Sequence, residues 1–374
     1  MSIQHATGAL IGPRPPNASP AARRRGRLIL GALLVCAFAL GACAAVLFTD
    51  VHQPHQLPQP PPPVAAAAGA TASQRWTPES RRGATGNEDL RRILRAVAPA
   101  GEVVVTLSTE SLVASGVLGA WVDDLRTAGV TSFVVFAIDD ATRDAMVARD
   151  VPVWRAPNVA TADDAISNHG VSARKYALLR EVVDLGYSPF LLDTDIAVMK
   201  NPLEYLRRDA DVEAMSDGAD DSRAYGDLQG DDDPAMGWSR YSQFWRLWAL
   251  NSGCFYLRAN ERTRALLADA ATHLEHQKDW DQSVFTRHVL APLGGPWPAH
   301  GLSLRVLDRR LFQNSKTAFV VERKLPLDAQ AEPVLVHVNY HADKNERLAA
   351  LRRRWARGGG QGDAHALDAF PDAS

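Results

Sequence analysis

The chain has 374 residues, 46 % of them hydrophobic and 22 % charged, with a formal net charge of −2. That length allows one large folded unit or two small ones. A net charge so near zero excludes any general affinity for nucleic acid.

From the N-terminus, Arg23-Arg24-Arg25-Gly26-Arg27 precedes a charge-free apolar run over residues 28–48. A run of about 21 residues is long enough to cross a bilayer. The basic cluster predicts a cytosolic tail at 1–27, a transmembrane signal anchor at 28–48, and a lumenal remainder. A cleaved signal peptide is the rival reading, but the run is longer than an ordinary signal core. The sequon Asn17-Ala18-Ser19 then falls on the cytosolic side and is expected to stay unmodified. Residues 49–89, with Pro60-Pro61-Pro62-Pro63 and an alanine run, read as an extended stem. Cys36 and Cys43 lie in the apolar run, so Cys254 has no lumenal partner and is expected as a buried, inert thiol.

A folded head is predicted over 90–357, followed by a disordered Gly-, Ala- and Asp-rich tail at 358–374. Apolar runs of strand period alternate with helical stretches, which indicates an α/β sheet with mainly parallel pairing. Strands are expected at 103–107, 133–138, 151–154, 212–215, 254–257 and 334–338, with helices at 115–128, 140–149, 172–185, 261–276, 282–289 and 343–357. The acidic, glycine-rich stretch 218–237 reads as a mobile loop, with a substrate lid and a plain surface loop both open.

One further strand is predicted at Phe190-Leu191-Leu192, and it runs into Asp193-Thr194-Asp195 before the stop at Asn201-Pro202. Residues i and i+2 of a strand share a face, so both carboxylates are expected to project from the strand's carboxyl end. Open α/β sheets bind ligands there. Two hard oxygens aimed at one point suit a divalent cation and, through it, a diphosphate leaving group. The plain alternative is a turn or a helix cap.

The order and spacing of several short segments resemble those of the nucleotide-diphospho-sugar transferases related to glycosyltransferase family 77. That group includes plant and algal retaining xylosyl-, arabinosyl- and galactosyltransferases. The segments are Lys175 with Leu178-Leu179-Arg180, the Asp193-Thr194-Asp195 run, Asn251-Ser252-Gly253-Cys254, Asp281-Gln282-Ser283, and His337-Val338-Asn339 with Lys344 and Trp355. The resemblance spans roughly 100–356 and implies a GT-A fold of Rossmann-like character. It also implies a Golgi-resident, type II membrane enzyme of cell-wall chemistry that transfers a sugar from a UDP-sugar donor to a glycan or glycoprotein acceptor. Asp193, Asp195 and His337 would then hold Mn²⁺ or Mg²⁺, with histidine tilting the choice toward Mn²⁺. Without the resemblance His337 reads first as a core histidine of a strand.

By the same resemblance, Thr106, Lys175, Asp193, Asn251, Gly253 and Lys344 would contact the donor. Lys344 would place an ammonium on the diphosphate, and Gly253 would allow close backbone approach by sugar or nucleotide. Asp281 and Gln282 are the candidates for the reacting face, although Asp281 reads equally well as a helix cap. Two rival functions remain. A haloacid-dehalogenase type phosphohydrolase would use Asp193 as nucleophile, but it would have its motif on the first strand. A non-catalytic, membrane-tethered sugar- or nucleotide-binding protein would not need to retain both aspartates with His337 and Lys344.

Overall fold

The computed structural model describes residues 76–83, 86–162, 168–225, 227–230, 242–246, 249–290, 300–355 and 362–371. The expected cytosolic tail, the anchor at 28–48 and the stem as far as residue 75 lie outside the described residues. Among the described residues no helix is long and apolar enough to cross a membrane.

Ordered structure begins earlier than the expected head. Helix α1 (Pro78–Arg82) opens on a Thr77–Ser80 capping box with Pro78 in the first turn, where its missing N–H costs nothing. Arg81 Nε and Arg82 Nε donate to the carbonyls of Asp184 and Gly186 at 2.9 and 3.1 Å, tying this segment to the head. The stem boundary at 89 is therefore corrected to a head that starts near Trp76. Helix α2 (Glu88–Val97) buries Leu90 and Leu94, one turn apart, and leads into strand β1 (Glu102–Ser108).

A short α3 (Glu110–Ala114) precedes α4 (Val117–Thr127), which turns Leu118, Trp121, Val122 and Leu125 to one buried face. Strand β2 (Phe133–Ala137) is followed by α5 (Asp140–Ala148), whose cap Asp139 accepts from Thr142 N at 2.7 Å. Strand β3 (Val153–Arg155) closes this half. The single helix expected at 172–185 is two, α6 (Asn168–Ala173) and α7 (Lys175–Asp184). The chain leaves α7 through Gly186 at φ +79°, a left-handed turn suited to glycine.

Strands β4 (Ser188–Leu192), β5 (Ile196–Val198) and β6 (Val212–Ser216) follow. The stretch expected as a loop contains α8 (Asp221–Tyr225) and β7 (Asp227–Gly230), which pairs antiparallel with β8 (Ser242–Arg246) beyond it. Residues 226 and 231–241 lie outside the described residues. Strand β9 (Leu250–Leu257) starts four residues before its expected position, so Asn251-Ser252-Gly253 lies inside it rather than in a preceding turn. Helices α9 (Glu261–His276) and α10 (Asp281–Val289) come next. Strands β10 (Leu304–Val306), β11 (Phe312–Asn314) and β12 (Leu335–His337) and helix α11 (Lys344–Arg354) complete the order.

Seven strands form the main sheet in the order β10-β6-β9-β4-β1-β2-β3, with β9 antiparallel to both neighbours and the other pairings parallel. Strand alternation splits the core: Val103 and Val105 face the α2 and α7 side, while Val104 packs with Trp121 and Leu125 of α4. A second sheet, β11-β12-β5, sets β12 antiparallel to β5 with His337 opposite Ile196.

The expected disorder of the tail is corrected for residues 362–371. Ala366 and Leu367 are buried, and Arg323 Nη1 donates to the Leu367 and Phe370 carbonyls at 2.6 and 2.7 Å. The Arg347 guanidinium lies 4.7 Å from the Phe319 ring centre and 4.8 Å from that of Phe370, a cation between two aromatic faces.

Asp211, just before β6, joins three segments. It accepts from Asn260 Nδ2, Arg262 Nε and Nη2, and Ser303 N and Oγ at 2.7–3.1 Å. Burial opposes its ionisation, but Arg262 and Ser303 overcome that and hold the carboxyl at about 2. A depressed carboxylate stabilises the fold fully above its unfolded value near 4, and this contribution fades as pH falls toward about 2. Asp211→Asn should therefore flatten the loss of stability between about pH 4 and pH 2 in urea titrations, and Asp211→Ala should cost about 2 kcal/mol at pH 7.

Candidate functional site

The aspartate pair does not extend β4 as a pleated strand. Asp193-Thr194-Asp195 forms the turn between β4 and β5, closed by Ile196 N donating to Asp193 O at 3.3 Å. The two carboxylates converge because the chain bends, not because a strand alternates. Asp193 N is held by Gly253 O at 2.8 Å, and Asp195 O accepts from Val338 N at 2.9 Å. The turn is thus pinned between β9 and the end of β12.

That pinning brings a distant imidazole to the pair. Asp193, Asp195 and His337 each offer one ligand atom, and these atoms lie within 4.8 Å of one another. His337 Nε2 is 3.1 Å from Asp195 Oδ1, while its Nδ1 is 3.0 Å from Asn251 Oδ1. Two carboxylate oxygens and an imidazole nitrogen form a donor set that can hold a divalent cation, and Asn251 orients the ring as an outer partner does in metal sites. The residues fit a divalent cation.

The surrounding charges are paired one by one. Lys344 Nζ is 2.6 Å from Asp195 Oδ2, and burial of Asp195 is outweighed by His337 and Lys344, which hold its carboxyl below the usual range. Burial raises Asp193 above its ordinary value, although Lys175 opposes this. Lys175 is buried, with Nζ 3.0 Å from Asp281 Oδ2, 3.0 Å from Ser252 O and 3.8 Å from Asp193 Oδ1. Burial would strip its proton, but Asp193 and Asp281 raise its pKa. The His337 ring is likewise buried, yet Asp195 raises its pKa.

On one side of this cluster opens a cleft of about 770 Å³, lined among others by Leu107, Glu110, Asp139, Lys175, Asp193, Asp195 and Lys344. Thr106 is not part of it. Its side chain is fully buried in the sheet and Oγ1 has no hydrogen-bond partner among the described residues, so the expected donor contact is corrected. Strand alternation puts Leu107, not Thr106, toward the cleft. The other expected donor residues, Lys175, Asp193, Asn251, Gly253 and Lys344, all meet at the cluster.

Gly253 serves a different approach from the expected one. A Cβ built there would run into Asp193 Oδ2 and His337 Cε1. The missing side chain makes room for the cluster itself. Cys254, next in β9, is buried and its thiol is pushed up by burial, as an inert cysteine would be.

Asp281 is the first residue of α10, and Trp280 takes the cap position that sequence assigned to Asp281. The Asp281 carboxylate is occupied by Lys175 and by Ser252 Oγ at 2.9 Å. Gln282 Nε2 donates to Asp217 Oδ2 at 2.6 Å, and its Oε1 is 3.2 Å from the Tyr340 hydroxyl. Asp217 also accepts from Asn251 Nδ2 and Asn339 Nδ2 at 2.6 and 3.1 Å, and the Tyr340 hydroxyl is 3.1 Å from its Oδ2. Burial and the Asp217 carboxylate raise the Tyr340 phenol above its ordinary value, so it stays a donor. Sequence reasoning placed Asp217 only at a strand end. A carboxylate at the end of a strand neighbouring β9 was the signal available for it.

Similarity to known proteins agrees with this arrangement. The model of a family described as nucleotide-diphospho-sugar transferase matches residues 128–351. Arabinosyltransferase RRA2 of Arabidopsis thaliana is 36 % identical over 291 residues, covering 77 % of this chain and 67 % of its own. Arabinosyltransferase RRA1 of the same plant is 34 % identical over 297 residues, covering 78 % and 71 %. The crystal structure of mouse xyloside xylosyltransferase 1 aligns at 13 % identity with a TM-score of 0.35, covering 64 % of this chain and 98 % of that one. The mixed α/β fold described above is GT-A-like in class.

Gly253→Ala should weaken Mn²⁺ binding at least about tenfold, read by electron paramagnetic resonance titration, because Asp193 and His337 must move apart. The melting temperature should fall by only about 4 °C, since the atoms displaced are side-chain ends rather than backbone.

Proposed function

This chain belongs to the nucleotide-diphospho-sugar transferase family and is a glycosyltransferase, and from that premise we propose that it moves a sugar from a UDP-sugar to a glycan or glycoprotein acceptor with retention of configuration. Among xylose, arabinose and galactose, arabinose is favoured by the arabinosyltransferase names of its relatives. The observation that carries the reading is the Asp193–Asp195–His337 cluster at the edge of a cleft large enough for a nucleotide.

In this reading the nucleoside diphosphate occupies the cleft. Asp193, Asp195 and His337 would hold Mn²⁺ or Mg²⁺. When bound, that ion supplies the Lewis acidity that neutralises charge on the departing phosphate oxygens. Lys344, with 41 % of its side chain exposed and its ammonium beside Asp195, is positioned to add a second positive charge there. Lys175 is too deeply engaged for a loose phosphate contact, and its task is to hold the Asp193 and Asp281 carboxylates in place.

Asp281, held by Lys175 and Ser252, acts as a positioning carboxylate and not as the nucleophile. Gln282 is the better candidate for the reacting face. Asp217 takes its amide N–H and the Tyr340 hydroxyl meets its amide oxygen, which fixes that oxygen as a non-nucleophilic support for an oxocarbenium-like state. The same reading holds the enzyme in the Golgi membrane through 28–48, with the head in the lumen. The basic residues before that run support this orientation.

A panel of UDP-sugars with the full chain tests the proposal. Release of UDP should require Mn²⁺, stop with a chelator and return when Mn²⁺ is restored. Asp195→Ala should lower the rate by roughly a thousandfold or more, with a melting temperature within about 4 °C of the native protein. Turnover that persists in the chelator, or in Asp195→Ala, would refute the assignment.

A further inference from the structure

Beside the cluster, and outside the residues that line the nucleotide cleft, stand two large aromatic residues that the core does not explain. Trp280 is 41 % exposed and Tyr340 60 % exposed, and their rings meet edge to face with centres 6.4 Å apart. Exposed aromatic residues held against each other present a broad apolar surface to water.

Both are fixed rather than loose. Trp280 N donates to Asp279 Oδ1 at 2.8 Å, and the Asp279 carboxylate is held in turn by His273 and Arg287. Tyr340 sits at φ +63°, an unfavourable backbone for a residue with a side chain, and its hydroxyl meets Asp217 and Gln282. Such strain persists where surrounding contacts impose it, and it concentrates at working sites. Three residues earlier on the same strand end, His337 enters the cation cluster. One short segment therefore reaches from the candidate cation to the aromatic pair, with Gln282 between them.

Neither ring lines the nucleotide cleft, and the Tyr340 hydroxyl meets Asp217 and Gln282, so the pair offers a second substrate an exposed surface beside the cluster. Sugars carry C–H groups on one ring face and hydroxyls around the edge. Aromatic rings with a polar tip match that chemistry, one surface apolar and one edge hydrogen bonding.

We propose that Trp280 and Tyr340 form the acceptor shelf, stacking a sugar ring of the acceptor. This inference rests on the transferase reading above. Asp217 is then a positioning residue that aims Tyr340 and Gln282 at the same point.

The test uses the full chain in detergent, saturated with Mn²⁺ and UDP. Methyl arabinofuranoside, methyl xyloside and methyl galactoside serve as probes, with binding read by saturation-transfer NMR. At least one glycoside should bind, Trp280→Ala should weaken it at least about tenfold, and Trp280→Phe should restore most of the loss. Calorimetry should give Mn²⁺–UDP affinities for these variants within about twofold of the native protein. Undiminished glycoside binding by Trp280→Ala overturns the shelf. So does the absence of glycoside binding, or Trp280-dependent binding of a hydroxyproline peptide in place of the sugars. A native protein that binds a glycoside but no Mn²⁺–UDP would instead overturn the transferase reading, and the acceptor role with it.

Discussion

Negative charge gathered at one turn is the constraint on which the rest of this site depends. Two like charges within about 5 Å repel by roughly 3 kcal/mol at an effective dielectric near 20. Asp193 and Asp195 are set that close, with Asp281 and Asp217 nearby. The fold answers each one separately. Lys344 and His337 take Asp195, and Lys175 lies between Asp193 and Asp281. Asp217 is surrounded by neutral donors from Asn251, Gln282, Asn339 and Tyr340. A divalent ion at the first pair would add positive charge where burial raises Asp193 and Lys175 opposes that rise.

Backbone topology makes this compact. Reversal of β9 against β4 lays Gly253 over Asp193, and reversal of β12 against β5 lays His337 beside Asp195. The absence of one Cβ at Gly253 permits both approaches. Residues from six separated segments thereby meet around one turn. The aromatic pair is not among the residues lining the cleft, and it joins the cluster through Asp217 and Gln282.

Much of this was legible in the chain. The helix expected at 261–276 matches α9, and the structure shows Asn260 capping its start. Strands β1, β2 and β4 are short apolar runs with clear ends. Lys175, Asp193, Asp195, Asn251, Gly253, Asp281, Gln282, His337 and Lys344 do converge. Thr106 does not, because one step of strand alternation turns it into the core. The start of the head was misplaced because capping of a five-residue helix by Thr77 is a weak signal beside a proline-rich run. The tail was misread because burial of Ala366 and Leu367 depends on distant Arg323 and Arg347, which local composition does not report.

By itself, the sequence determined the class of fold, the kinds of chemical group and their order along the chain, since apolar period and residue type are local properties. Tertiary structure alone decided that the two aspartates meet through a bend, that Gly253 clears space for them, and that Asp217 and two exposed aromatics join the cluster. These depend on which strands pair and in which direction, and such pairing joins residues some 60 to 150 positions apart that carry no mark of one another locally.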